Sequence, residues 1–295
     1  MGIRAVIRRI LGQEEERKYA DPRQEIARIE AARDGFGVYD GPVRGDHIIV
    51  SLTSFPARFG MLHHVVGSIL CQTMRPDEII LYLDDDVDVE SLPEQLLEMR
   101  GYGLQIETRA LDLKPHKKYY YAIKEHPEAT IITVDDDLTY PANLIEELWK
   151  MHESFPNAVV ASRAHRILFD RDGRMMSYRQ WGWEDGAVGE PSLALCATGT
   201  GGVLYPPHLM HADLLDYGLL HELSPRNDDL WLKVMQVLVG TRTVLCNQSV
   251  RKGRAILEGS QRETLNSINV HEDVNDIFLR NLCYHYGLTQ AHFLD

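Results

Sequence analysis

The hydrophobic positions of the chain follow two different spacings. Short apolar runs at residues 47–52, 78–83 and 130–134 are typical of strands that are buried on both faces. Between the first two runs, residues 60–72 carry apolar side chains at helical spacing. Strands that alternate with helices in this way imply right-handed crossovers. The pattern therefore predicts an α/β fold in which helices flank a mainly parallel sheet.

Weaker signals of the same kinds complete the predicted order. Further strands are expected at residues 104–107, 158–162 and 242–246, and further helices at residues 93–100, 117–125, 142–155 and 273–286, with one more that opens at Asp228 or Asp229. Residues 163–192 show no period, residues 199–207 run from a glycine loop into a strand, and residues 251–254 predict a basic loop.

Composition and charge narrow the class of protein. The 295 residues, 44% of them hydrophobic, are enough for one large α/β domain or two small ones. A net charge of −13 argues against electrostatic binding of nucleic acid. The four cysteines lack C-x-x-C spacing, and no apolar run approaches the roughly 18 residues that span a bilayer. We therefore expect a cytoplasmic protein.

The first 12 residues predict a short basic amphipathic helix. Such a helix could make a peripheral contact with the inner face of an anionic membrane. The favoured interpretation is a helix that packs on its own domain or frays, and the membrane contact stays open.

Three consecutive carboxylates, Asp135, Asp136 and Asp137, follow the apolar run at residues 130–134. In an open α/β sheet, ligands bind in the crevice beyond the carboxyl ends of the strands. Three acids crowded there repel one another unless a cation joins them, and carboxylate oxygens suit a hard divalent ion that a diphosphate shares. The alternative interpretation is a solvated turn at the end of a strand.

Four motifs in a fixed order resemble the GT-A class of nucleotide-sugar glycosyltransferases. They are D-D-D at residues 135–137, G-T-G-G at 199–202, N-D-D at 227–229 and a single downstream histidine, His271. More narrowly, S-L-T-S-F-P-A-R, T-V-D-D-D-L-T-Y-P and T-G-T-G-G-V-L-Y-P-P look like a group of bacterial polysaccharide glycosyltransferases, and T-V-D-D-D with N-D-D is similar to the exostosin-like transferase domain. The resemblance covers roughly residues 48–286.

The resemblance implies a domain organisation and a reaction. It implies an N-terminal helical extension (1–45), a single GT-A catalytic domain (46–286) with a nucleotide-binding half (46–162) and an acceptor half (163–286), and a C-terminal tail (287–295). The implied reaction moves a sugar from a UDP-sugar to a glycan or a lipid-linked glycan in bacterial surface polysaccharide synthesis. The implied cofactor is Mn²⁺ or Mg²⁺, which stabilises the departing diphosphate.

The resemblance also assigns the metal and the base. It gives Asp137 the direct metal contact, Asp135 a ribose or water-mediated contact, and Asp136 a place near the donor sugar. His271 matches the third metal ligand, although a lone histidine there could also be a surface residue or part of a helix cap. Asp229 matches the residue that accepts the acceptor proton in inverting members. Asp228 departs from the usual Glu, so whether the sugar's configuration is inverted or retained stays open.

Residues after the first strands are implied as donor contacts. Thr53, Ser54 and Arg58 would face the nucleoside and diphosphate, Asp84 would bind the uracil edge or ribose, and Lys118 would be a second nucleotide contact. The basic loop with Arg251 and Arg254 could close over the diphosphate as a lid. For each of these residues, an ordinary solvent-exposed side chain is the competing interpretation.

The acceptor contacts are predicted in the second half of the chain. Trp181 and Trp183 flank a glycine outside any periodic run, and aromatic faces pack well against sugars. Glu184 could bind hydroxyl groups, and Gly201 and Gly202 let the backbone approach the sugars closely. Core packing competes with acceptor binding for both tryptophans.

Two other classes of function use the same acids. A nucleotidyl or phosphoryl transferase would show a glycine-rich phosphate loop with a lysine after the first strand, which S-L-T-S-F-P-A-R lacks. A non-catalytic module that binds sugar nucleotides would need D-D-D but neither Asp229 nor the basic loop. The sequence does not reveal the donor sugar, the acceptor hydroxyl or the oligomeric state.

Overall fold

The computed structural model describes residues 19–42, 44–111, 113–184, 186–257 and 274–295. The strands in these ranges are β1 (Ile48–Thr53), β2 (Glu78–Asp84), β3 (Leu104–Arg109), β4 (Thr130–Thr133), β5 (Leu138–Thr139), β6 (Ala158–Ala161), β7 (Ala164–Arg166), β8 (Leu195–Ala197), β9 (Val203–Tyr205), β10 (Arg242–Leu245) and β11 (Ala255–Ile256). The helices are α1 (Pro22–Ala31), α2 (Phe59–Leu70), α3 (Glu94–Glu98), α4 (Lys117–Glu125), α5 (Leu144–Ser154), α6 (Tyr217–Leu223), α7 (Asp228–Val237), α8 (Gln248–Lys252) and α9 (Val274–Tyr286).

Seven strands form the central sheet in the order β10-β6-β9-β4-β1-β2-β3. All neighbours in this sheet run parallel except β9, which lies antiparallel between β4 and β6. Two small antiparallel pairs, β5 with β11 and β7 with β8, lie outside it. The predicted α/β fold with a mainly parallel sheet is confirmed.

Helices cover both faces of the sheet, as its doubly apolar strands require. On one face, Val50 of β1 belongs to a core that includes α2 and α5. On the other face, Ile49 belongs to a core that includes α4 and α7. Since successive residues of a strand point to opposite faces, the apolar run in β1 supplies both cores.

The strand register brings several loops to one edge of the sheet. Thr133, at the end of β4, pairs with Ser51 of β1 on one side and with Val203 of β9 on the other. Because β9 is antiparallel, the glycine loop that precedes it lies at the same edge as the carboxyl ends of β1 and β4. The acids after β4 and residues 199–202 are therefore neighbours.

The basic stretch differs most from its prediction. Residues 251–254 do not form an open loop, because α8 covers Arg251 and Lys252, and β11 follows directly. The predicted strand 104–107 extends to Arg109, and the predicted helix 93–100 is the shorter α3 followed by a 3₁₀ turn. The helix predicted at residues 1–12 lies outside the described residues.

In the described parts of the chain, no helix combines the length and the hydropathy needed to cross a bilayer.

Lys233 is a buried cation on α7. Its side chain is 1% exposed, and its Nζ has no hydrogen-bond partner among the described residues. Burial lowers the pKa of Lys233 to about 8, against weaker opposing effects of Cys196 and Asp295. The folded protein therefore holds this lysine at a cost to its stability.

We expect Lys233→Met to stabilise the fold by ~3 kcal/mol at pH 7, the free energy of a pKa lowered from 10.5 to about 8. In the wild type, the unfolded chain binds a proton between pH 8 and 10.5 that the folded chain has released, so stability should rise with pH over this range. Urea unfolding at several pH values measures both effects. The exposed Lys150→Met serves as the control, and an unchanged stability of Lys233→Met would contradict the prediction.

Candidate functional site

One partly buried arginine and one serine contact two of the strand-end acids. Ser54 Oγ donates a hydrogen bond of 2.6 Å to Asp136, and Arg58 forms an ion pair with the same carboxylate. A second nitrogen of Arg58 lies 3.3 Å from Asp137 Oδ2. Burial raises the pKa of Asp136 even though Arg58 opposes the shift. Arg58, which was predicted to bind phosphate, is thus engaged with two of the three acids.

Lys118 neutralises the third acid from the opposite side. Its Nζ donates to Asp135 Oδ1 at 2.6 Å and lies 2.9 Å from Asp228 Oδ2, outside hydrogen-bond angles, so this second contact is an ion pair. Burial would raise the pKa of Asp135, but Lys118 and then Arg58 outweigh it and hold that pKa low. Burial would likewise lower the pKa of Lys118, but Asp135 and Asp228 raise it well above the ordinary value. Both groups are therefore charged.

Asp229 lies in the first turn of α7, close to the strand-end acids. Asn227 caps this helix by accepting a hydrogen bond of 2.9 Å from the backbone N–H of Leu230. Asp229 Oδ1 accepts a hydrogen bond of 2.9 Å from the backbone N–H of Gly199. Burial, and then the negative charge of Asp228, raises the pKa of Asp229 to about 8. Asp229 therefore has the proton affinity of a base that works near neutral pH.

The glycine loop fits the space between these groups only because it lacks side chains. A Cβ on Gly199 would lie 2.7 Å from Lys118 Nζ and 3.1 Å from Asp135 Oδ1. A Cβ on Gly201 would lie 2.6 Å from Ser162 Oγ, and Gly202 has a φ of +85° that favours glycine. Close packing thus accounts for glycine at position 201, and the backbone conformation accounts for glycine at position 202. Gly199 is the glycine of this loop that contacts the acids.

The predicted donor contacts after β1 and β2 lie at the same edge of the sheet. Thr53 Oγ1 donates a hydrogen bond of 2.8 Å to the carbonyl of Tyr82 in the neighbouring strand. Asp84, at the end of β2, forms an ion pair with Lys117, the residue before Lys118. These side chains lie where the resemblance places a nucleoside, and their roles stay predictions.

Of the predicted acceptor contacts, Trp183 and Glu184 lie near the surface and Trp181 does not. Trp183 is 45% exposed and contacts His165, with ring centroids 4.5 Å apart and ring planes tilted by 40°. Glu184 accepts a hydrogen bond of 2.9 Å from Arg163 and lies 3.6 Å from Arg251. Trp181 is 3% exposed and donates its indole N–H to the carbonyl of Met176, so its predicted stacking on a sugar is not supported.

The basic residues after α8 hold the protein together rather than line an opening. Arg254 is fully buried and donates a hydrogen bond of 2.9 Å to the carbonyl of Thr200. Arg251 contacts both the carboxylate and the carbonyl of Glu184. Both guanidinium groups thus bind the protein's own oxygens, and the predicted lid over a diphosphate stays a prediction.

A preformed metal site is not found among the described residues, where no three His, Cys, Asp or Glu side chains are close enough to hold an ion. Asp135 and Asp137, the predicted ligands, contact Lys118 and Arg58 instead. His271, the predicted third ligand, lies outside the described residues. The metal remains a prediction.

The structure also identifies site residues that the sequence analysis did not assign. Thr200 donates a side-chain hydrogen bond to Asp135, the Tyr140 hydroxyl accepts one from the backbone N–H of Asp135 at 2.8 Å, and His116 Nε2 lies 2.8 Å from the carbonyl of Ser224. Asn275 Oδ1 accepts a hydrogen bond of 2.7 Å from Asn227. Thr200 and Tyr140 stand inside the quoted motifs, whereas His116 and Asn275 carried no sequence signal.

Comparison with known proteins gives a structural similarity only. No protein-family model and no curated protein matches the sequence. The chain is similar to residues 1–349 of S. aureus TarS in complex with UDP, with a TM-score of 0.51 and 15% identity over 83% of this chain and 68% of that chain. For the complex of TarS with UDP-GlcNAc, the TM-score is 0.47 and the identity 15%, over 78% of this chain and 65% of that chain. For TarS alone, the TM-score is 0.42 and the identity 14%, over 68% of this chain and 57% of that chain. At this identity the first similarity supports the GT-A fold and nothing finer.

We expect Gly199→Ala to lower the free energy of unfolding by ~1–3 kcal/mol, because the new methyl group meets the amine of Lys118 and the carboxylate of Asp135. Urea unfolding measures the change. Gly101→Ala is the matched control, since a Cβ there has no neighbour within 4 Å. Equal stabilities of the two variants would show that the loop is not packed against these groups.

Proposed function

We propose that the protein is a glycosyltransferase that moves a sugar from a UDP-sugar to a hydroxyl group of a glycan or a lipid-linked glycan. The observation that carries this proposal is the position of Asp229. It is a partly buried carboxyl group of raised pKa that faces the strand-end acids across Gly199. A base beside a cluster of acids is the arrangement that sugar transfer from a diphosphate donor needs.

The UDP part of the proposal rests on position and on similarity. Thr53 and Asp84 end two neighbouring parallel strands, where ligands bind in open α/β sheets. TarS, which has a similar fold, has been solved with UDP and with UDP-GlcNAc. We therefore propose that the nucleoside lies over the ends of β1 and β2 and that its diphosphate points towards the acids after β4.

A divalent ion fits the chemistry of these acids. Among the described residues, the ion pairs and hydrogen bonds of five carboxyl groups, Asp135, Asp136, Asp137, Asp228 and Asp229, include two cationic side chains, Arg58 and Lys118. A diphosphate would add further negative charge, which hard cations such as Mn²⁺ or Mg²⁺ offset. Asp135 and Asp137 would hold the ion, which would stabilise the negative charge of the departing diphosphate.

Asp229 would accept the proton of the acceptor hydroxyl. In that step, the hydroxyl oxygen forms a bond to the anomeric carbon, and the bond from that carbon to the diphosphate oxygen breaks with its electron pair on the leaving group. The acceptor proton moves to Asp229 Oδ2, while the N–H of Gly199 holds Oδ1. A pKa of about 8 makes Asp229 a stronger base than an ordinary carboxylate.

The acceptor would lie on the side of Trp183, whose exposed ring suits the apolar face of a sugar. Glu184 is adjacent to it, and two arginines hold its side chain in place. A surface polysaccharide assembled at the inner face of a membrane remains our proposal for the pathway. A nucleotidyl transferase and a binding module without activity are the alternatives that the next experiment separates.

We expect UDP to bind with a dissociation constant that falls at least tenfold when Mn²⁺ is added, measured by calorimetry. UDP-GlcNAc should be hydrolysed slowly to UDP, and Asp229→Asn should lower kcat about 100-fold or more, because the base is lost. The exposed Asp172→Asn is the control. Unchanged turnover in Asp229→Asn would contradict the proposed role of Asp229 as the base. UDP binding that does not depend on the metal would contradict the proposed divalent ion.

The pH dependence provides a separate check. Since the carboxylate form of Asp229 is the base, kcat/KM for UDP-GlcNAc hydrolysis should rise with pH and level off above about pH 8. Asp228→Asn should shift this rise to lower pH, because it removes the neighbouring negative charge that raises the pKa of Asp229. An activity that is already constant above pH 5 would contradict this role.

A further inference from the structure

Lys118 connects two parts of the candidate site that are far apart in the sequence. Its Nζ lies 2.6 Å from Asp135, after β4, and 2.9 Å from Asp228, at the start of α7. The residue is 5% exposed. An ammonium group this buried, with carboxylates on two sides, has little surface left for the phosphate of a nucleotide.

The main chain around Lys118 is fixed by both parts of the fold that it joins. Ser51 of β1 donates a hydrogen bond to the carbonyl of Lys118. Two residues earlier, His116 contacts the carbonyl of Ser224, in the turn that leads to α7. The first turn of α4 therefore contacts the sheet on one side and the approach to α7 on the other.

Gly199 completes this arrangement. An added Cβ there would lie 2.7 Å from Lys118 Nζ and 3.5 Å from Asp229 Oδ1, so the glycine lies directly against both groups. Its backbone N–H donates to Asp229. The position of Asp229 thus depends on two contacts. Gly199 donates a hydrogen bond to Asp229 itself, and Lys118 forms an ion pair with Asp228, the residue before it in the chain.

We propose that Lys118 is a positioning residue for the base. It holds Asp228, and with it the first turn of α7, against Asp135, so that Asp229 stays beside the strand-end acids. This role rests on the proposed function, and it replaces the direct nucleotide contact that the sequence analysis predicted for Lys118.

The electrostatic reason is the repulsion among the acids. Without the ammonium group, the buried Asp228 and the partly buried Asp135 would be two carboxylates with no cation between them, and the turn of α7 would move away from β4 to hydrate them. Removing one partner of a buried ion pair is much worse than removing both, because only the first change leaves a buried charge without its partner. The proposal therefore predicts coupling between the two substitutions.

A double-mutant cycle with Lys118→Met and Asp228→Asn tests the coupling. We expect Lys118→Met to lower the melting temperature by roughly 5–10 °C and Asp228→Asn by less, with a double variant that loses clearly less than the sum. The control is Lys124→Met, an exposed lysine of the same helix, which should change nothing. If Lys118→Met fails to fold while the double variant folds, that difference is itself the coupling. Additive losses would overturn the proposal.

A second measurement separates positioning from nucleotide binding. We expect Lys118→Met to lower kcat for UDP-GlcNAc hydrolysis at least tenfold while the dissociation constant of UDP changes less than threefold. A tenfold weaker binding of UDP at unchanged kcat would make Lys118 a nucleotide contact and overturn the proposal. A wild type that neither binds UDP nor hydrolyses UDP-GlcNAc would count against the proposed function alone, since the melting cycle would still measure the coupling.

Discussion

The candidate site depends on one electrostatic constraint, which is that carboxylates gathered at the end of a buried strand need cations within the fold. Lys118 and Arg58 meet this need from opposite sides, Lys118 on Asp135 and Arg58 on Asp136 and Asp137. Neither cation comes from the strand that carries the acids. The sheet, the first turn of α4 and the loop after β1 must therefore all be in place before the acids can be tolerated.

The same constraint explains why the acids differ in their pKa values. Asp135 has a cation at hydrogen-bond distance, and its pKa is lowered in spite of burial. Asp229 is also partly buried but has an acid, Asp228, as its neighbour, and its pKa is raised to about 8. Carboxyl groups that lie close together in one site thus take different roles because of what each one contacts. A charged Asp135 suits the stabilisation of a cation, and an Asp229 of raised pKa suits proton transfer.

Much of the fold followed from local pattern, because apolar spacing reports which faces of an element are buried. The runs at β1, β2 and β4 and the periodic segment of α2 were predicted within one or two residues. The basic stretch at residues 251–254 was not, since composition alone cannot show that Arg254 is buried against the carbonyl of Thr200. For Trp181 the sequence left core packing and sugar stacking open, because an aromatic residue outside a periodic run can serve either, and the structure places Trp181 in the core.

The sequence by itself determined that acids would follow a buried strand and that N-D-D would open a helix, with a glycine loop between the two motifs in the chain. These features depend on residues that are neighbours in the chain. Only the tertiary structure decided that Lys118 joins Asp135 to Asp228, that Gly199 holds Asp229, and that Arg58 faces acids instead of solvent. Those contacts join residues between 17 and 110 positions apart, and no local spacing encodes which charges meet when a parallel sheet brings its loops to one edge.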